Sequence, residues 1–334
     1  MQKERVTIVF LAFCIAFQFA ACENFSDASK STVNSEHNTF TVNTKIEDII
    51  TDSVFGDYGK LLFPTNKRYY SGDTLGKLSL MWYGNINPER TVEIANYLKR
   101  HAEAGGTVFY DIYSEKEKAK NPDKKNTGLF CFRGNEGAKT AIVNAGGGFV
   151  FVGAMHDSFP HALELSKKGY NAFALIYRPG ANTGCEDLAR AIAFLHTNAA
   201  ELGIDMKDYS LWGGSAGARL AAWLGSYGPE CFGEAAHPRP ATVVMQYTGL
   251  TEVSGKEPPT YACVGTDDGI ASFRTMQHRI DRIKANGTDA KIEIFQGLSH
   301  GFGLGEGTVA EGWIDRAVGF WERQIENMII RPAH

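Results

Sequence analysis

Gly213-Gly214-Ser215-Ala216-Gly217 sets a serine among glycines in a GxSxG pentapeptide, so its hydroxyl can stand clear of a sharp strand-to-helix turn. The chemistry open to such a serine is acyl transfer. A neutral hydroxyl is a poor nucleophile until an adjacent base takes its proton, and a carboxylate must hold that base in the right tautomer. Downstream, Leu298-Ser299-His300-Gly301-Phe302 presents His300 on a glycine-flanked loop. Between the two, Val264-Gly265-Thr266-Asp267-Asp268 offers adjacent carboxylates. Neighbours in extended chain point in opposite directions, so one of the two faces the histidine. Asp268, three residues after Gly265, is the preferred acid, and Asp267 is the alternative.

The tetrahedral oxyanion of acyl transfer needs backbone donors. Ala216 follows the nucleophile and supplies one. The run Gly146-Gly147-Gly148 ends a strand, where backbone without side chains can approach a substrate, and Gly146 and Gly147 are expected to supply the others. Phe149, Phe151, Met155 and His156 follow that run and are candidates to line the acyl or leaving-group pocket, although core packing accounts equally well for the phenylalanines.

The pentapeptide alone is a weak signal in a chain with 36 glycines. The elements around it make it stronger. Apolar β-rich runs at 107–113, 128–133, 141–144, 172–177, 209–212, 242–247, 261–264 and 291–295 alternate with amphipathic helical text at 158–168, 186–202, 218–224, 273–285 and 311–325. The charged stretch 115–125 reads as a solvated turn. Such alternation predicts crossover units and a mainly parallel sheet with helices on both faces, with active sites at the carboxyl ends of strands. Every motif above sits at such an end. Residues 40–105, with a helix over 88–104 and aromatic loops at Phe63, Tyr69, Tyr70, Trp82 and Tyr83, form an N-terminal extension. It is expected to wrap the sheet or form one wall of the cleft.

From about residue 105 to 330 the chain resembles the α/β-hydrolase fold, closest to acetyl-esterase/lipase-like carboxylesterases related to hormone-sensitive lipase. The matching text is Asn144-Ala145-Gly146-Gly147-Gly148-Phe149 for the HGGG loop, Tyr177-Arg178-Pro179 for a YRL strand end, GGSAG for GDSAGG, and Ser299-His300-Gly301-Phe302 for the HGF end. Ala145, Gly214 and Ala218 depart from the usual His, Asp and Gly. The resemblance implies a fold domain over 106–334 and the order nucleophile, acid, base. It also implies a serine esterase of short acyl groups, with secreted relatives that deacylate plant polysaccharides. Residues 250–259 are too few for a helical lid, so the cleft is expected to be open there. That suits an acyl group on a bulky small-molecule or glycan ester. A serine peptidase of the same fold and a catalytically silent binding protein are the rival readings.

The N-terminus reads as an export signal. Lys3 and Arg5 precede an apolar run at 6–21 that is short for a membrane span, and Phe19-Ala20-Ala21-Cys22 resembles a bacterial lipobox with Phe in place of Leu. On this reading residues 1–22 are a lipoprotein-like signal peptide, Cys22 carries a lipid anchor, and 23–39 is a polar tether. Plain secretion and an uncleaved anchor are the alternatives, and all three place the chain outside the cytosol.

The remaining signals are negative. A formal charge of −4 without a basic face argues against nucleic acid as a partner. Six cysteines with no CxxC argue against a zinc ribbon or a disulfide scaffold, leaving only a Cys185–Cys231 pairing open. Residues 134–140 have the wrong glycine-to-lysine spacing for a P-loop, and His156 and His161 lack an HExxH frame. Neither a cofactor nor a metal is expected.

Overall fold

The computed structural model describes residues 39–84 and 86–330. The proposed signal peptide, Cys22 and all but the last residue of the tether lie outside the described residues. No described helix is long and apolar enough to cross a membrane.

The strands of the main sheet are β3 (Phe109–Tyr110), β4 (Gly128–Phe132), β5 (Lys139–Asn144), β6 (Asn171–Ile176), β7 (Asp205–Gly214), β8 (Thr242–Gln246), β9 (Thr260–Gly265) and β10 (Ala290–Phe295). A two-stranded ribbon of β1 (Tyr70–Ser71) and β2 (Ser79–Leu80) precedes them. The helices are α1 (Ile46–Ile50), α2 (Pro88–Glu103), α3 (Glu115–Lys120), α4 (Ala154–Asp157), α5 (Phe159–Lys167), α6 (Ala181–Thr197), α7 (Ala199–Leu202), α8 (Ala216–Tyr227), α9 (Phe273–Ala285) and α10 (Trp313–Ile330). The sheet order is β10-β9-β8-β7-β5-β6-β4-β3, parallel from β10 to β6 and antiparallel at β4 and β3.

Strands β4, β6, β8 and β9 are buried along their whole length, as a sheet covered on both faces requires. The crossover from β5 to β6 runs one way across the sheet and the next, from β6 to β7, runs back. Right-handed connections therefore put α5 and α6 on opposite faces. The carboxyl ends of β5 and β7 meet at this reversal, the usual place for a site in an open α/β sheet.

The strand expected over 107–113 is reduced to Phe109–Tyr110 and the helix expected over 186–202 is broken after Thr197, and two further segments differ. Residues 115–120 are helix α3, not a turn. Ser114 and Glu117 cap each other's backbone at its start, and Lys118 reaches Glu115 over 2.7 Å, so local pairing outweighs the lack of an apolar face. Helix α6 begins at Ala181, five residues before the predicted start. Gly184 is its contact point: a Cβ there would come within 3.1 Å of Leu220 and 3.2 Å of Tyr177.

The extension packs onto the sheet and forms one compact unit with it. Asn96 of α2 exchanges two 2.8 Å hydrogen bonds with the Phe40 backbone. Tyr58 stacks on Phe109 at 5.0 Å, and the Phe109 ring meets Phe130 edge-on at the same distance. Cys185 is buried and Cys231 exposed, both as free thiols, so the open pairing is not formed.

Candidate active site

Strand β7 runs directly into Ser215, whose φ of 50° is a conformation that costs a non-glycine residue energy. Neighbours hold it there. Its N–H donates to the Gln246 carbonyl at 3.0 Å. Gly213 pairs with Asn144 of β5, and a Cβ on Gly217 would overlap the Asn144 carbonyl, so α8 begins pressed against the end of β5.

His300 lies between the other two predicted members. Its Nδ1–H donates to Asp268 Oδ2 at 2.8 Å, and its Nε2 stands 3.1 Å from Ser215 Oγ. The Asp268 side chain is fully buried, and its second oxygen accepts the amides of Ile270 (2.8 Å) and Ala271 (2.7 Å). Three hydrogen bonds, two on one oxygen and one on the other, hold the carboxylate in place. Asp267 is exposed and accepts from its neighbour Thr266 at 2.9 Å, so it does not face the histidine. The loop beyond His300 is pinned at the Gly303 carbonyl by Gln246 (2.9 Å) and by the Trp313 indole (3.1 Å).

The oxyanion donors differ in part from expectation. The Gly146 amide donates to Asp157 Oδ2 at 2.6 Å and is not free to face a substrate. The amides of Gly147, Gly148 and Ala216 have no acceptor among the described residues. Gly147 (φ 129°) and Gly148 (φ 60°) take conformations that favour glycine, and a Cβ on either would collide, with Phe151 and Trp82 respectively.

The four pocket candidates separate into two pairs. Met155 and His156 line a cavity of about 440 Å³ that also contains His300, Asn87, Arg90 and Glu306. Phe149 faces a second cavity of about 560 Å³ beyond the oxyanion loop, with Tyr69, Phe151, Arg68 and Asp123. His156 is buried, and its Nε2–H donates to the Gly301 carbonyl at 2.7 Å. Burial lowers its pKa, so it stays neutral and holds the loop of His300 rather than offering a free group to a ligand.

Asp157 and Tyr247 were not singled out from the sequence, and Tyr83 only as one of the aromatic residues of the extension. Tyr83, from the loop after β2, passes between Gly146, Gly153 and Gly301; a Cβ at any of them would lie 2.5–2.9 Å from its ring or hydroxyl. Its OH donates to Asp157 Oδ2 at 2.9 Å. Tyr247, just after β8, donates to Asp157 Oδ1 and sets its ring edge-on to His300 at 5.0 Å. The extension therefore does form one wall of the cleft. The one sequence signal for this was its cluster of aromatic residues. Residues 250–259 form a loop without a helix. Among the described residues no three His, Cys, Asp or Glu side chains converge as a metal site needs.

Residues 131–238 match the family model described as BD-FAE. A stretch of 105 residues, 29% of the chain, is 31% identical to part of endo-1,4-beta-xylanase B of Butyrivibrio fibrisolvens. The chain spans 16% of that curated relative's length. Among solved structures, an acetyl ester-xyloside bifunctional hydrolase from Caldicellulosiruptor lactoaceticus matches with a TM-score of 0.57 and 22% identity, over 64% of this chain and 95% of that one. An α/β hydrolase, MGS-M1, from a Medee basin deep-sea metagenome library gives 0.53 and 21%, over 60% and 93%. Thermogutta terrifontis esterase 2 with propionate bound gives 0.52 and 19%, over 66% and 93%. The chain has the α/β-hydrolase fold.

Proposed function

We propose that the protein is a serine esterase that removes short acyl groups, acetyl foremost, from carbohydrate. The observation that carries this reading is the continuous hydrogen-bonded line from Asp268 through His300 to Ser215. Ser215 Oγ attacks the ester carbonyl while His300 Nε2 takes its proton. Asp268 stabilises the imidazolium, and the amides of Gly147 and Ala216 receive the oxyanion. His300 then protonates the departing alkoxide, leaving an acyl-enzyme that water hydrolyses by the same steps.

The alcohol leaves on the side of the group that protonates it. The cavity beside His300 carries Asn87, Arg90, Glu306 and Thr308, a polar set suited to a hydroxyl-rich alcohol. The xylanase and acetyl ester-xyloside hydrolase among the similar proteins support the same choice. The test compares p-nitrophenyl acetate, butyrate and octanoate with acetylated xylo-oligosaccharides and peptide amides, beside Ser215→Ala. Turnover of acetyl esters that falls with chain length and drops by about 10⁶ in the variant is expected. Equal rates in both proteins would rule out the mechanism.

We also propose export and lipid anchoring at Cys22, on the sequence of residues 1–22 alone. Cys22→Ala should release the protein from the membrane fraction of its host, and unchanged membrane association would count against the anchor.

A further inference from the structure

Asp157 is 1% exposed and lies behind Ser215, across Gly146 from it. A buried carboxylate is tolerated only when hydrogen bonds replace its water. Here three donors do so: Tyr83 OH, Tyr247 OH and the Gly146 amide. The Gly146 amide can only donate, and the two hydroxyls are placed to donate with it, so the carboxyl serves as their common acceptor. Burial raises its pKa despite the pull of these donors, and the same burial together with the carboxylate's charge holds both tyrosines well above their ordinary values.

The glycines around it have a common cause. A Cβ on Gly214 would overlap the Asp157 carboxylate. One on Gly146 would lie 2.9 Å from Asp157 Oδ2 and 2.8 Å from Ser215 Cβ. The carboxylate thus fills the space behind the nucleophile and ties together the start of the oxyanion loop, the end of β8 and the N-terminal extension.

We propose that Asp157 is a positioning residue of the active centre: by binding the Gly146 amide it aims the next amide, Gly147, at the oxyanion beside Ala216. This rests on the serine-esterase reading and adds to it a residue that never touches substrate. A purely structural role would lower the fraction of active protein. A positioning role lowers turnover per active site and weakens tetrahedral adducts without altering substrate binding.

The experiment uses the 23–334 protein, with rates normalised by active-site titration. Asp157→Asn keeps the shape but removes the charge and leaves a single neutral oxygen, so the Gly146 N–H loses its charge-assisted acceptor. Its kcat on p-nitrophenyl acetate should fall about 10- to 100-fold, less than the roughly 10²–10³ for deleting an oxyanion donor. KM should stay within about twofold, and affinity for a phenylboronic acid should fall in parallel with kcat/KM. Tyr247→Phe, which keeps the ring and removes one donor, should show the same pattern more weakly and serves if Asp157→Asn does not fold. Wild-type kcat and boronate affinity per active site in either variant would overturn the proposal. The Gly146 amide proton gives a readout independent of turnover: it should be shifted downfield and slow to exchange, and should lose both properties in the variant. An inactive wild-type protein would sink the esterase reading, and the Gly146 amide would then decide the positioning role by itself.

Discussion

The indole of Trp82 lies against the ring of Phe151, with centroids 5.7 Å apart and planes 28° from parallel, while 48% of Trp82 stays exposed. Its φ of 69° is strained for a bulky residue, and a Cβ on Gly148 would lie 2.8 Å from its ring. On the proposed function, an aromatic face held open beside Gly148 suits the apolar face of a sugar ring. We predict that Trp82→Ala lowers kcat/KM on acetylated xylo-oligosaccharides about tenfold, as loss of roughly 1.4 kcal/mol of contact implies. Rates on p-nitrophenyl acetate should hardly change. A parallel loss on both substrates would reject the sugar platform.

The two adjacent aspartates should separate cleanly. Asp268→Asn removes the carboxylate that fixes the His300 tautomer and should reduce kcat by about 10⁴ while the fold persists. Asp267→Asn alters an exposed group bonded to Thr266 and should leave kcat near the wild-type value. Steady-state kinetics of both at neutral pH check this, and the reverse ranking would refute the assignment.

Gly217 is a stability determinant of the elbow. Its missing side chain lets α8 start against the Asn144 carbonyl, and an added Cβ would meet backbone atoms rather than a flexible side chain. Gly217→Ala should destabilise the protein by roughly 1–3 kcal/mol through overpacking, visible in calorimetry as a Tm lower by several degrees. An unchanged Tm would mean that the elbow is less tightly packed than described.

Acid should weaken the fold through two histidines. His161 is fully buried and its pKa falls to about 3 through desolvation. His196, half buried and stacked on His237 at 4.7 Å, falls to about 4, with desolvation the larger cause and the His237 charge the second. The unfolded chain binds protons near pH 6.5 that the native state excludes. Stability is therefore full above pH 6.5 and is lost as pH falls toward 4 and then 3. Calorimetry from pH 7 to 4 should show Tm declining, with a shallower decline in His161→Leu. Identical slopes would remove His161 from the account.

The pentapeptide, the glycine run and the order of serine, aspartate and histidine were legible because each is a local pattern. A strand that must turn sharply into a helix needs glycines next to its serine, and an alternation of apolar runs dictates a covered parallel sheet. Helix α3 escaped because its support is pairing among charged residues, which looks like solvated chain when only apolar periodicity is followed.

The assembly under the nucleophile could not be read this way. Tyr83 and Tyr247 reach Asp157 across 74 and 90 residues of sequence, and no spacing encodes such contacts. The sequence by itself determined the fold class and picked out Ser215 and His300, which the structure brings together, since both follow from periodicity and local backbone demands. Only the tertiary structure decided which aspartate meets His300, that Gly146 turns its amide inward, and that the N-terminal extension walls the cleft. Those outcomes depend on where buried polar groups find partners, and a buried carboxylate takes its donors from whichever elements the fold brings within 3 Å.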